Sequence, residues 1–297
     1  MIKRTLFFSN PYYLSFKQNQ LQITDKSTGE INQAPVEDLG FIVIEHPQVT
    51  FTQYLMAKLI EHNVAVVFCN EKHMPTSMLL HLESNHLQNE IFRNQINASQ
   101  PLKKRLWQQT IRAKIKNQKL LLEETGKNSG NLGALVKNVK SGDTSNQEAA
   151  ASRFYWAQLF PVDGFKRRRD GVPPNSLLNY GYAILRAAVA RSLVGSGVLP
   201  TLGIHHKNRY NAFCLADDLM EPYRPFVDKT VLGIVESGNN FDDLTKGVKA
   251  ELLNVLTMDT YFKTHTRPLM IGLSSTTASL AKCFDGSTEK LDYPSIN

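Results

Sequence analysis

Residues 202–228 read LGIHHKNRYNAFCLADDLMEPYRPFVD and crowd histidines, acids and cations among apolar residues. The second half of this stretch has helical periodicity, with Leu215, Leu219 and Met220 on an apolar side. On such a helix Asp218 and Glu221 stand one turn apart on one face, while Asp217 points roughly 100° away. Neighbouring carboxylates repel each other, and they tolerate it poorly unless a cation sits between them. His205 and His206 lie just upstream, on a loop opened by Gly203, and can fold back towards that face. The chemistry this permits is capture of a cation by acids and an imidazole. The plainer reading is a solvated acidic face beside a loop His-His doublet, because ion-pair networks look the same in a sequence.

A second acid far upstream favours the cation site. Glu148 falls in the first turn of an expected helix over 147–160, a place where acids also serve simply to complement the helix dipole. Its neighbours Ala149, Ala150, Ala151 and Ser152 are small, and Tyr155 lies two turns below on the same face. Small residues around one acid let a bulky partner such as a nucleic-acid backbone come close. If Glu148, one of the two histidines, Glu221 and also Asp218 converge, they offer one nitrogen and two or three oxygens. That set suits Mg²⁺ or Mn²⁺ with open water positions. Zinc on His205, His206 and Cys214 is the competing metal, but the HHx₇C spacing matches no closed zinc pattern and there is no CxxC. A hard divalent ion beside basic surface points to phosphodiester chemistry. No Walker loop and no Gly-x-Ser-x-Gly elbow is present.

The basic residues cluster after residue 100. An expected helix over 102–124 carries Lys103, Lys104, Arg105, Arg112, Lys114, Lys116 and Lys119, with no acid before Glu123. A charged helical face is ordinarily just solvated, but this imbalance suggests phosphate contact. Lys166, Arg167, Arg168 and Arg169 form the densest cluster, in a loop over 165–174 suited to a DNA backbone. Lys207, Arg209 and Arg224 flank the acids, and Arg224 has a second reading as the partner of Asp228 four residues on. Asn179, Tyr180 and Tyr182 interrupt an apolar helix that Asn175 or Ser176 would cap and that runs to about residue 193. Gly181 within it costs roughly 1 kcal/mol relative to Ala. Either close helix packing against a metal site or an ordinary buried polar contact accounts for that.

The elements that must position these residues fall into two groups. Up to about residue 80 the chain reads as strands (5–9, 12–16, 20–24, 40–45 and 64–69), with a hairpin turn at 25–29 and one helix over 52–62. From about 79 the periodicity is helical: 79–97, 102–124, 132–140, 147–160, 229–236, 242–257 and 269–284, with a mobile tail over 285–297. The reading is a two-domain α+β protein: a small β domain over 1–80, a hinge near 75–85, and an all-α domain over 81–297. Its 297 residues, 42% of them apolar, suffice for two cores. No apolar run reaches the length of a membrane span, the first residues lack the form of a signal peptide, and three scattered cysteines make no disulfide framework. A cytoplasmic protein with no membrane association is expected, with Cys69 in the core. The net charge of +7 permits an anionic partner.

Taken in order, the motifs E-AAASR-Y (148–155), N-LLNYGYA (175–183), Gly-x-x-His (203–206) and D-L-x-E-P-x-R-P (218–225) resemble the CRISPR-associated endonuclease/integrase of the spacer-acquisition complex. The ADDLMEPYRPFVD ending resembles the version found in type II systems. Carried over by motif, the family's metal-binding glutamate falls on Glu148, its histidine on His206, and its second carboxylate on Glu221, with Asp218 as a supporting acid. His205, Tyr155 and Asn179 would stand behind these. The resemblance implies a metal-dependent enzyme acting on double-stranded and branched DNA. It implies homodimers, two of which flank a dimer of a small second acquisition protein, and insertion of a short duplex by attack of a 3′-hydroxyl on a repeat phosphodiester. The β domain would then mediate dimerisation and partner contact. A non-integrating nuclease for branched DNA shares the same site, and a DNA-binding scaffold with a structural ion is the reading without chemistry.

Overall fold

The computed structural model describes residues 3–81, 83–238 and 241–296, and the chain divides into two compact units between Ser84 and Asn85. The first unit contains β1 (Arg4–Phe8), β2 (Tyr12–Lys17), β3 (Gln20–Asp25), β4 (Ile31–Pro35), β5 (Leu39–Ile44), β6 (Thr50–Phe51), α1 (Gln53–Glu61), β7 (Ala65–Cys69) and β8 (Pro75–Leu79). One sheet has the order β1-β5-β7-β8, parallel except for β8; the other has the order β4-β3-β2-β6, an antiparallel meander with β6 added in parallel. The turn between β3 and β4 is set by the Asp25 carboxylate, which accepts from the amides of Ser27 at 2.8 Å and Thr28 at 3.2 Å. Thr52 caps α1 by accepting from the Leu55 amide at 3.2 Å. Leu14, Leu21, Leu39, Ile42, Leu55, Leu59 and Val66 form the fully buried core. Cys69 is half-buried, not a core residue.

Several expectations at the junction are corrected. The boundary between the units falls within the expected hinge over 75–85, but Pro75–Leu79 is β8, paired with β7. Helical structure expected from residue 79 begins only at Gln88, and Leu82 lies outside the described residues. Of the expected apolar stripe, Leu87 and Ile96 are about half exposed, and the buried side chain of this helix is Gln95.

The second unit holds α2 (Gln88–Asn97), α3 (Gln100–Glu124), α4 (Leu132–Asn138), α5 (Gln147–Leu159), α6 (Asn175–Gly195), α7 (Cys214–Met220), a 3₁₀ turn (Glu221–Tyr223), α8 (Arg224–Glu236) and α9 (Lys246–Leu253). A short hairpin of β9 (Asp259–Tyr261) and β10 (Thr266–Pro268) precedes α10 (Leu269–Phe284). α3 packs against α4, α5 and α8, while α6 packs against α7, α8, α9 and α10. Gly181 is required by that packing: a Cβ there would lie 2.4 Å from Val227 Cγ1 on α8. Among the described residues no helix is long and apolar enough to cross a membrane.

Here too the chain departs from expectation. Ser145 and Asn146 do not cap α5. Asn146 is left-handed, with φ of 52°, and the Asp143 carboxylate caps instead, accepting from the amides of Gln147 and Glu148 at 3.0 Å each. Neither Asn175 nor Ser176 caps α6; Asn175 is buried and binds the preceding loop. α8 starts at Arg224 because Pro225 suits a first helical turn, and α9 starts only after Thr245. The tail after Asp285 is packed. Asn117 Nδ2 donates to the Pro294 carbonyl at 3.1 Å, Gln109 binds the backbone of Glu289 and Leu291, and Ile296 is buried.

Candidate active site

Two positions on one face of α3 organise the site. Trp107 and Lys114 are seven residues, about two turns, apart and both buried. Lys114 does not point to solvent with its basic neighbours. Its Nζ lies 2.5 Å from Glu148 Oε1 on α5 and 2.6 Å from Glu221 Oε2 in the 3₁₀ turn. Glu221 Oε1 accepts from Arg224 Nε at 2.8 Å, and Ser152 Oγ donates to Glu148 Oε1 at 3.1 Å. The sequence forms this corner because Pro222 and Pro225 break α7 from α8 just where Glu221 must turn inward. Burial opposes the charges of Lys114, Glu221 and Arg224, yet the opposite charges prevail. Lys114 is raised above its ordinary value by Glu221 and Glu148. Against its own burial, Glu221 is pulled down to about 2 by Arg224 and Lys114.

The Gly203–His206 loop is wrapped around Asp218, which is fully buried on α7. Asp218 Oδ2 accepts from the amides of Ile204 at 2.7 Å and His205 at 2.9 Å; Oδ1 accepts from the His206 amide at 3.2 Å and lies 2.5 Å from His206 Nδ1. Gly203 permits this: a Cβ would sit 2.3 Å from the His206 carbonyl oxygen and 2.8 Å from Asp218 Oδ2. Gln95 ties down the approach, donating to the carbonyls of Leu199 and Leu202 and accepting from the Leu199 amide. Bonding to Asp218 raises the His206 imidazole above its ordinary value, and the Glu221 charge adds to this. His205 stacks flat on Trp107, ring centres 4.0 Å apart, and burial lowers it.

A further buried acid lies beyond Arg224. The Asp228 carboxylate accepts from Tyr155 at 2.8 Å and Tyr182 at 2.5 Å, and the Arg224 guanidinium lies over the Tyr182 ring at 4.5 Å. Burial pushes Asp228 up to about 6, against the two hydroxyls and Arg224. The anticipated i,i+4 ion pair between Arg224 and Asp228 is replaced by the i,i+3 pair with Glu221.

The structure thus brings Glu148 and Glu221 together across Lys114, and places Asp218 against His206. It does not bring Tyr155 or Asn179 to the acids. Tyr155 serves Asp228; Asn179 accepts from Arg167 at 2.8 Å and donates to the Arg169 carbonyl at 2.6 Å. Arg167 is folded onto Asn175 and Asn179, whereas Arg168 and Arg169 face solvent. Lys104, Arg105 and Lys116 are exposed along α3; Arg105 reaches Glu289 at 3.3 Å. A cleft of about 440 Å³ is lined by His206, Lys103, Lys207, Asn208 and Arg209, and a second of about 570 Å³ by Arg112, Lys137, Lys140 and Ser145. Cys214 turns its sulfur to the carbonyls of Asn208 and Asn211.

Two carboxylates are donors for a hard divalent ion, and a borderline imidazole beside them is compatible with Mn²⁺ or Mg²⁺. Among the described residues no three such side chains are close enough together to hold one, and the cation between the carboxylates is the Lys114 ammonium.

The order of a β unit followed by a helical unit is a known fold. The chain superposes on a casposase bound to an integration product with a TM-score of 0.78 at 21% identity, covering 98% of this chain and 93% of that one. It superposes on a chain of a Cas6-RT-Cas1–Cas2 complex with a TM-score of 0.73 at 19% identity, covering 98% of this chain and 36% of that one. The sequence identifies the family. The model described as CRISPR associated protein Cas1 matches residues 6–265. A CRISPR-associated endonuclease Cas1 of Neisseria meningitidis serogroup C (strain 8013) is 41% identical over 259 residues, 86% of this chain and 84% of that protein. The chain belongs to the Cas1 family.

Proposed function

We propose that this protein is a metal-dependent DNA endonuclease and integrase that inserts short duplexes into a CRISPR array. The observation that carries the reading is the pair of carboxylates from separate elements, Glu148 and Glu221, facing one cation position. The names of the relatives support it: one is a CRISPR-associated endonuclease, and another was solved bound to an integration product. Glu148, His206 and Glu221 would hold Mg²⁺ or Mn²⁺, whose chemistry there is Lewis-acid polarisation of a phosphoryl oxygen.

In this reading a 3′-hydroxyl attacks a repeat phosphodiester. One P–O bond forms as another breaks, so the exchange needs no nucleotide cofactor. Asp218 orients the His206 ring and fixes the loop that carries it; Arg224 holds Glu221 in its ionised form. Lys103, Lys207 and Arg209, in the cleft beside His206, would bind backbone phosphates. Lys104, Arg105, Arg112, Lys116, Arg168 and Arg169 would extend that path. The protein would work as homodimers, two of them bridged by a small second acquisition protein; the name of a Cas6-RT-Cas1–Cas2 complex among the similar structures supports the second protein.

The test mixes the protein and its small partner with a labelled duplex, a supercoiled plasmid bearing a CRISPR repeat, and Mn²⁺. Label joined to plasmid by the wild type, and absent for Glu148→Ala, His206→Ala and Glu221→Ala, is the expected result. Cleaved ends without joined product would replace integration with a branched-DNA nuclease. Normal joining by all three variants would end the reading.

A further inference from the structure

Lys114 stands where its periodicity calls for an apolar residue, in line with Trp107, Ile111 and Ile115 on the buried face of α3. A lysine is buried at such a place for its partners. Those partners are the two carboxylates through which the proposed metal would bind, so the role assigned to Lys114 rests on that metal-dependent reading. Both oxygens of Glu221 are engaged, one by Lys114 and one by Arg224. The ammonium holds the oxygens of Glu148 and Glu221 at 2.5 and 2.6 Å. A magnesium ion needs oxygens at about 2.0–2.1 Å. The ammonium already spans the two carboxylates, so an ion bound between the same oxygens has to displace it. Charge gives the same answer. Lys114 and Arg224 already neutralise Glu148 and Glu221, so a dication entering with Lys114 in place would leave two uncompensated positive charges in a buried site, an unfavourable state.

We infer that Lys114 is a built-in counter-ion that keeps the place of the divalent ion, and that the two occupy the acid pair in competition. The ammonium keeps Glu148 and Glu221 gathered in the metal-free protein. It leaves their oxygens when the ion enters. Metal affinity of the free protein is set by the difference between the two cations, not by the carboxylates alone.

The experiment is an electron paramagnetic resonance titration of free Mn²⁺ with metal-free full-length wild type, Lys114→Met and Glu221→Gln. Met fills the space of the lysine stem and ligates a hard ion poorly. The expected result is Mn²⁺ binding about tenfold tighter in Lys114→Met than in wild type, and weaker binding in Glu221→Gln. Equal or weaker binding by Lys114→Met, with Glu221→Gln still impaired, overturns the competition and leaves the metal centre standing. Binding by Glu221→Gln indistinguishable from wild type overturns the metal centre itself, and the competition with it. Because Lys114→Met takes the shared cation from Glu148 and Glu221 and can fail to fold, the wild type is also labelled with an amine-reactive reagent and mapped by mass spectrometry. Lys114 is expected to be protected without divalent ions, relative to exposed Lys116, and to become reactive at saturating Mg²⁺. Protection unchanged at saturation overturns the inference.

Discussion

Glu221 and Asp228 are both buried, stand seven residues apart in the chain, and are displaced in opposite directions. Glu221 is drawn down to about 2 and Asp228 is pushed up to about 6. Burial acts on both in the same sense, disfavouring the carboxylate. The difference lies in the partners. Glu221 is bonded directly by two cations, Lys114 and Arg224, whereas Asp228 is bonded by two neutral hydroxyls, from Tyr155 and Tyr182, and feels Arg224 and Arg167 only as unbonded charges. A hydroxyl supplies a hydrogen bond but no countercharge, so it only partly offsets desolvation. The region around Glu221 is thus built to keep an acid ionised, and the region around Asp228 leaves one that takes up its proton near pH 6.

The largest effect expected from this contrast is on Glu221. Glu221→Ala leaves Lys114 buried without its main partner, and breaking a buried pair costs about 3–5 kcal/mol. Urea unfolding should show a midpoint well below wild type. Asp228→Asn should cost far less at pH 7, and equal losses would mean that the cations around Glu221 contribute no more than the hydroxyls around Asp228.

The pH dependence separates the two further. With its native pKa lowered, Glu221 contributes stability above its ordinary 4.5 that is lost as pH falls towards 2. Asp228 runs the other way. The native protein keeps the Asp228 proton to about pH 6 while the unfolded chain releases it near 3.8, so the stability contribution falls as pH rises through that window. The fall amounts to about 3 kcal/mol at 1.36 kcal/mol per pH unit. Asp228→Asn should remove it, as measured by chemical unfolding between pH 4 and 7; an unchanged slope would contradict the assignment.

Asp218 adds a third kind of partner, three backbone amides, which Gly203 makes available. Gly203→Ala forces a Cβ against the His206 carbonyl, with an expected cost of about 1–3 kcal/mol and a displaced His206. Loss of joined product in the plasmid assay, with DNA binding retained, is the expected reading. The smallest effect is Tyr155→Phe, which removes one hydrogen bond worth about 1 kcal/mol. It should also shift the Asp228 transition to higher pH, since that bond helps hold the pKa down.

Much of this was legible in the chain. Short-range patterns located β1, β2, β3, β5, β7, α1 and α10, because alternation and helical spacing are local properties. β4 was missed because Asn32 and Gln33 interrupt any apolar pattern, and all three of Ile31, Asn32 and Gln33 face solvent. The β9–β10 hairpin was missed because three-residue strands are too short for a period. Caps failed where the capping group came from outside the adjacent residues, as with Asp143 above α5. The tail looked mobile because its anchors, Asn117 and Gln109, lie more than 170 residues away.

Within the site, the residue types and spacing around 202–228 set out Asp218 and Glu221 on one face, the histidines on a glycine-opened loop, and the need for a cation between acids. Those features come from helix geometry and Coulomb repulsion, which act along the chain. The family motifs named Glu148, His206 and Glu221. Which cation answers the acids was decided only in three dimensions. In the sequence Lys114 is one of seven cations along α3, and its charge masks its place on the stripe with Trp107 and Ile111. Only the packing of α5 and the 3₁₀ turn against α3 shows that the buried face of that helix carries a charge and that two acids from elsewhere meet it. A buried charge is stable only if its partners arrive with it, and their arrival is a property of the fold rather than of any segment.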